Sequence, residues 1–338
     1  MTPRTKSALL LLALTMVWGL TFPMNRWGLT TVGMDPFAFG GIRFLLAAVA
    51  FLPLAIRGSR RLPETPGGGP PDRFLWLKAG LATGSVLAIY GILQYVGLVY
   101  TTSGKSGFIS GLYVVIVPLM AMFAGRRPGL PVWGGLCLAV IGLWLLSNPG
   151  GEGTFNVGDV LTLVSAVFTA VHVILTASFA NRVDSVRFVT VQLALTGFAS
   201  LGIAVFTGNL PSAPAFWGLL PICMFGIISL AGGILIQTSA QKHMRSYEVA
   251  LMLQLQGAFA ALFGMIFLKE IMTLAMWGGA VLVVAGAALS QKTSRKRVDL
   301  PHGQSSGVPV ADKLSLEKPG SGEPSPEKPV AGEPGPEP

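Results

Sequence analysis

Residues 132–147 read VWGGLCLAVIGLWLLS, and residues 276–290 read MWGGAVLVVAGAALS. Each is an uncharged apolar run that opens with Trp-Gly-Gly and carries one later glycine in the same place. Trp133, Gly134, Gly135 and Gly142 recur 144 positions on as Trp277, Gly278, Gly279 and Gly286. A spacing of 143 pairs Gln94 with Gln237, Ser103 with Ser246 and Lys105 with Glu248, which asks for one inserted residue between the two sets. The chain reads as one unit written twice.

The rest of the chain follows the same pattern. A helix needs about 20 mostly apolar residues to cross roughly 30 Å of hydrocarbon. Apolar runs between breakers predict helices at 7–25, 36–56, 74–97, 106–124, 131–147, 159–179, 188–207, 215–238, 247–267 and 274–291. With 51% hydrophobic residues, 12% charged residues and a mean hydropathy of +0.64, the natural solvent is a lipid bilayer. The expected fold is an all-α integral membrane protein of ten transmembrane helices. Five helices per unit is an odd number, so the second copy must enter the bilayer upside down. That gives two inverted five-helix repeats, 1–147 and 158–291, joined by a linker at 148–157. Asp35 before Pro36 is an N-cap followed by a proline where a missing N–H costs nothing, and Asp159 sits in an early turn where the helix dipole favours it. The run from Ala8 to Pro23 is followed by Asn25, Arg26 and Trp27 rather than by a small-residue cleavage site, so it reads as a helix and not as a signal peptide.

The net charge of +9 does not fit a nucleic-acid surface, because the basic residues form short clusters between apolar runs. With the amino terminus in the cytoplasm, Arg4, Lys6, Arg57, Arg60, Arg61, Arg126, Arg127, Arg182, Arg187, Lys242 and Arg245 fall inside, and Arg26, Lys105 and Lys269 fall outside. Both termini are then cytoplasmic, and a bacterial inner membrane is the expected location. From Lys292 to Pro338 the sequence turns to Pro, Gly, Glu, Lys and Ser without apolar periodicity, as a disordered tail does.

Chemistry in the membrane is marked by polar residues. Arg43 in the second helix can hold a carboxylate through two N–H groups, and His172 in the sixth can take or give a proton. Gln94, Gln192, Gln237 and Gln256 carry amides that need partners in hydrocarbon. They serve equally as glue between helices or, with Tyr90, Tyr113 and Trp18, as the lining of a polar cavity with aromatic walls. Lys105 and Glu248 open the fourth and ninth helices in repeat-related places on opposite sides, as gate charges or as interfacial anchors. Cys137 and Cys223 lie inside apolar runs and read as buried small side chains, not as a disulfide or a metal site. No helix carries a central Asp or Glu, and no phosphate-cradling glycine loop precedes the Gly-Lys-Ser at 104–106. An enzyme, an ATP-driven pump, a metal site and a bound cofactor are therefore not expected, and oligomeric state is not encoded in any of these features.

Several motifs in order carry a resemblance. They are Val17-Trp18-Gly19-Leu20-Thr21-Phe22, Ile42-Arg43-Phe44, YTTSGKSGFISGLYVVIVPLMA at 100–121, Gly158-Asp159-Val160-Leu161, Ala240-Gln241-Lys242, Phe259-Ala260-Ala261-Leu262-Phe263-Gly264 and Leu268-Lys269-Glu270. Across residues 8–291 the chain resembles the EamA-like branch of the drug/metabolite transporter superfamily. The resemblance implies a 5+5 fold, a central cavity, and transport of small metabolites such as amino acids, with efflux a common direction. Where that family commonly has Glu-Pro before the Phe-Ala-Ala run, this chain has Gln256-Gly257, so the acidic charge is missing and the bend of the ninth helix falls to Gly257. The competing class is a structural or sensory membrane protein whose output is the tail.

Overall fold

A computed structural model describes residues 2–57, 74–120, 129–147, 155–211, 224–244 and 252–296, together with 220, 222 and 249. The described residues are helical, with no strand among them. The helices are α1 (Pro3–Thr30), α2 (Pro36–Arg57), α3 (Leu75–Tyr100), α4 (Ser103–Ser110), α5 (Tyr113–Met120), α6 (Leu130–Ser147), α7 (Val157–Phe179) and α8 (Ser185–Phe206). A π-helical segment (Ile227–Gly232) then leads into α9 (Gly233–Ala240), and α10 (Gln256–Leu268) and α11 (Leu274–Lys296) follow. Five of these, α1, α2, α3, α7 and α8, are each long and apolar enough to cross a membrane, and shorter apolar helices make up the remainder.

The starts follow from local chemistry. Asp35 accepts the N–H groups of Phe37 (2.9 Å) and Ala38 (3.0 Å) on its carboxylate. At α7, Asn156 and Asp159 form a reciprocal capping box, each side chain accepting the other's backbone N–H at 3.1 Å. The burial pattern is that of a membrane bundle. Thr15, Thr83, Ser165, His172, Gln192 and Thr196 are buried, whereas Leu9, Met16, Val49, Ile56, Phe198, Ile266 and Phe267 face outward.

The helices pack across the sequence halves. The main contacts are α6 on α11, α2 on α8, α3 on both α7 and α8, and α10 on α1 and α4. The two runs quoted first lie against each other. A β-carbon at Gly142 would sit 2.6 Å from the Gly279 carbonyl oxygen, and one at Gly286 would sit 2.5 Å from that of Gly135. Because 142 and 286 are repeat mates, as are 135 and 279, the contact is reciprocal.

The structure differs from the sequence expectations in several places. The run expected as one helix at 106–124 breaks at Gly111–Leu112, and the run at 247–267 breaks at Gln254–Leu255. At the first break Leu112 N–H donates to Ile109 (3.0 Å) and Val114 N–H to Gly111 (3.1 Å); at the second, Leu255 donates to Met252 and Gly257 to Gln254, both at 3.2 Å. These are the same two tightened turns 143 residues apart, and Gly111 lies directly against the Gln254 amide. Gly257 is therefore not the bend: it stands past the break, within α10, packed on Gly107 of α4. The last helix runs to Lys296 rather than ending at 291, and Cys137, expected to be buried, is exposed on α6. Cys223, the tail from 297 and the linker at 148–154 lie outside the described residues.

Gly142→Ala is expected to destabilise the protein by about 1–3 kcal/mol through overpacking on Gly279, despite alanine's better helix propensity. Gly278→Ala, where a β-carbon meets open space, is expected to be neutral or mildly stabilising. Thermal unfolding of the two variants in detergent checks the opposed signs.

Candidate functional site

Between two apolar clusters lies a cavity of about 140 Å³. The first cluster gives it Tyr113, Val173 and Leu253, and the second gives it Phe22, Phe44, Tyr95 and Ile234. Arg43 reaches it from α2 and is 1% exposed. Its Nη1 donates to the Asn25 amide oxygen on α1 and to the Tyr95 hydroxyl on α3 (3.3 Å), and its Nη2 donates to the Ser229 hydroxyl (3.4 Å). The guanidinium also lies over the rings of Phe39 (5.3 Å) and Tyr95 (5.9 Å). Phe39 and Phe44 each meet Tyr95 edge-on, which fixes that ring. Every oxygen bonded to Arg43 is neutral, and no carboxylate lines the cavity among the described residues.

The π-helical segment positions one wall. Ser229 within it binds Arg43, and its carbonyl accepts the Trp18 indole N–H at 2.6 Å. A β-carbon at Gly226, one residue before the segment, would stand 2.9 Å from Arg43 Nε, so a larger residue there would move the guanidinium.

On the opposite wall His172 of α7 is 1% exposed, with its Nε2 2.7 Å from the Gln192 amide oxygen and 3.4 Å from the Thr176 hydroxyl. The Tyr90 ring packs against it at 5.5 Å. Gln94 joins three helices: its amide donates to Ser106 (2.7 Å) on α4, and its oxygen accepts from Ser165 (3.3 Å) on α7.

Trp18, Arg43, Tyr90, Gln94, Tyr113, His172, Gln237 and Gln256 all line this one cavity. Gln192 does not; it stands behind His172 as its partner. Lys105 is also elsewhere, in a buried ion pair with Asp159 (3.6 Å), whose other oxygen accepts from Thr101 at 2.5 Å. Glu248, its repeat mate, lies outside the described residues. At the same end of the bundle Glu270 accepts the Ser103 (2.9 Å) and Gly104 (3.2 Å) N–H groups at the start of α4, where the helix dipole favours an anion. Arg26 ties this cap to α1 and α3 through Glu270 (3.4 Å) and the Thr101 carbonyl (2.8 Å).

Sequence reading did not single out Asn25, Ser229 or this second ion pair. Asn25 stood at the expected end of the first helix, which in fact continues to Thr30 and carries the side chain inside. Ser229 has no sequence signal beyond being a hydroxyl in an apolar run.

The family model of the EamA-like transporter family matches residues 5–148 and 156–291. The chain belongs to the EamA-like transporter family. It is thus a multi-pass membrane protein of a transporter family built from two matched segments. The chain is 28% identical to an uncharacterized transporter of Archaeoglobus fulgidus, over 80% of each chain. It is also 28% identical to the uncharacterized transporter YvbV of Bacillus subtilis, over 87% of this chain and 94% of that one. The pseudopaline exporter CntI of Pseudomonas aeruginosa is 26% identical over 62% of this chain and 74% of its own length. A protein of known crystal structure shares the fold with a TM-score of 0.60 at 17% identity, covering 86% of this chain and 98% of that one.

Asp159→Asn removes the anion of the buried pair with Lys105 and is expected to cost about 3–5 kcal/mol, read as a lower unfolding temperature in detergent. Lys105→Met with Asp159→Asn is expected to recover most of that loss.

Proposed function

We propose that the protein is a secondary transporter that carries small carboxylate-bearing metabolites, amino acids or related compounds, through the cavity around Arg43. The observation that carries this reading is the charge of the cavity. Arg43 is buried, bonded only to neutral oxygens, and faces a space lined by no carboxylate among the described residues. A permanent charge in mid-membrane is costly unless a partner arrives, and a carboxylate is the partner that a guanidinium fits. The volume, close to the roughly 150 Å³ that holds a benzene ring, suits cargo the size of an amino acid. Trp18, Tyr90 and Tyr113 wall it, while Gln94, Gln237 and Gln256 offer amides to the rest of the cargo.

On this reading the chain crosses the membrane ten times, as two inverted sets of five at 1–147 and 158–291, with both termini cytoplasmic in a bacterial inner membrane. The reciprocal glycine contact of α6 with α11 and the paired breaks at Gly111 and Gln254 support a two-fold relation between the sets. The Lys105–Asp159 and Arg26–Glu270 pairs close one end of the bundle, and alternating access opens that end as the other closes. Efflux is the direction favoured by the relative named as an exporter.

Uptake of a pool of labelled amino acids and carboxylates by proteoliposomes tests this. Saturable, counterflow-competent uptake is expected, and Arg43→Ala is expected to raise the half-saturating concentration about thirtyfold, for a charged hydrogen bond worth about 2 kcal/mol. Arg43→Lys, which keeps the charge without the two-pronged geometry, should fall between. A variant ending at Arg297 keeps its flux on the transporter reading and loses function on the sensory one.

A further inference from the structure

We infer that the cavity loads its anion together with a proton on His172, and that the two cross the membrane in the same direction. This rests on the reading of the cavity as an anion carrier. Among the described residues His172 is the one imidazole lining the cavity, and none of them that is acidic faces it from an element packed on α7. From α3 it meets Tyr90, with Tyr95 beyond; from α5, Tyr113; from α8, Gln192; and from α2, across the cavity, Arg43. Arg187 of α8 turns away, to the Ala55 carbonyl (3.0 Å) and the Trp76 ring. Asp159, on the same helix but 13 residues back, lies about 20 Å away at 1.5 Å per residue and is engaged with Lys105.

The bond to Gln192 sets the chemistry of the ring. With the Gln192 amide oxygen accepting, the hydrogen rides on Nε2 and the lone pair is left on Nδ1. Transfer of a proton from a hydronium ion to Nδ1 breaks one O–H bond, forms one N–H bond, and leaves water and the imidazolium, with the Gln192 contact on Nε2 kept. Leaving the carrier, the proton returns to water from the same nitrogen.

Coupling then follows from charge. In the empty cavity Arg43 already supplies one positive charge, which opposes a second on His172. A bound carboxylate neutralises the Arg43 charge and so removes its opposition to protonation of His172. By linkage, a protonated His172 tightens the carboxylate by the same factor. Groups that bind with mutual assistance travel together, so the carrier is a symporter of anion and proton. An exporter built this way runs on the outward gradient of the acid itself.

The test uses the full-length protein in proteoliposomes with a pH dye in the lumen, the membrane voltage clamped at zero, and a carboxylate that the wild type transports. The lumen should acidify in step with uptake. One pH unit, alkaline inside, should raise the steady-state accumulation ratio about tenfold for one proton per anion. His172→Gln should hold that ratio near one. Should that variant fail to fold, Gln192→Leu, which removes the acceptor from the ring, should shift the pH of half-maximal uptake, whereas a merely structural His172 would leave it in place. Wild-type flux that ignores the pH gradient, protons moving against the anion, or accumulation by His172→Gln equal to that of the wild type would each overturn the inference while leaving the carrier intact. Absence of saturable flux for every carboxylate tried would instead remove the carrier reading, and this inference with it.

Discussion

Hydrocarbon offers a polar side chain nothing to bond, and that single constraint organises the molecule. Arginine, histidine, threonines and glutamines turn inward, where each must find its partners on another helix, while leucine, valine and phenylalanine face outward. The helices are therefore joined by specific polar contacts between distant parts of the chain: Trp18 to Ser229, Arg43 to Asn25 and Tyr95, Gln94 to Ser106 and Ser165. These bonds place the cavity. Removing water from both sides of a helix bundle leaves no other place for such groups to gather.

Close approach is the second requirement, and glycine supplies it where two helix backbones meet. Without an apolar driving force between helices in lipid, association relies on packing and on polar contacts. At the crossing of α6 and α11 the glycines let backbone carbonyls of each helix lie within reach of the other's Cα. Repeat-related residues form both halves of this crossing, so the same sequence feature, duplicated, provides both surfaces.

Much of this was legible in the sequence. The spacing of Trp133 and Trp277 gave the duplication, apolar length gave the long helices, and buried charge gave Arg43 as a cavity residue. Eight of the nine residues expected to bind cargo line one cavity, because a polar side chain inside an apolar run has few other places to point. What the sequence hid were interruptions of the helices. Nothing in GFISGLYVV or MLQLQGAFA forces a break, since glycine, glutamine and leucine are tolerated within membrane helices. The two breaks meet in space, with Gly111 seated on the Gln254 amide, a tertiary contact that neither stretch shows by itself. The sequence also did not show the partner of Lys105: it meets Asp159, a residue whose helix-capping role already explains its position at the start of α7.

The ion pairs at one end and the aromatic cavity in the middle have different energetic characters, and a carrier needs both. Opening apolar surface to water costs free energy in proportion to its area, so an end sealed by leucines would resist opening. A charge pair is different. Its attraction in the closed end is offset by the hydration it has given up, so when water enters, solvation returns much of what separation removes. On the carrier reading, Arg26–Glu270 and Lys105–Asp159, two cations and two anions on α1, α4, α7 and the loop after α10, hold that end firmly while dry and loosely once wet. Glu270 adds a mechanical link, because its carboxylate is bonded to the first N–H groups of α4, the helix whose far end breaks beside the cavity. Cargo that rearranges Ser110 and Tyr113 at that break pulls on the same short helix that Glu270 caps, so on the carrier reading α4 is the rod that joins the occupied cavity to the closed end.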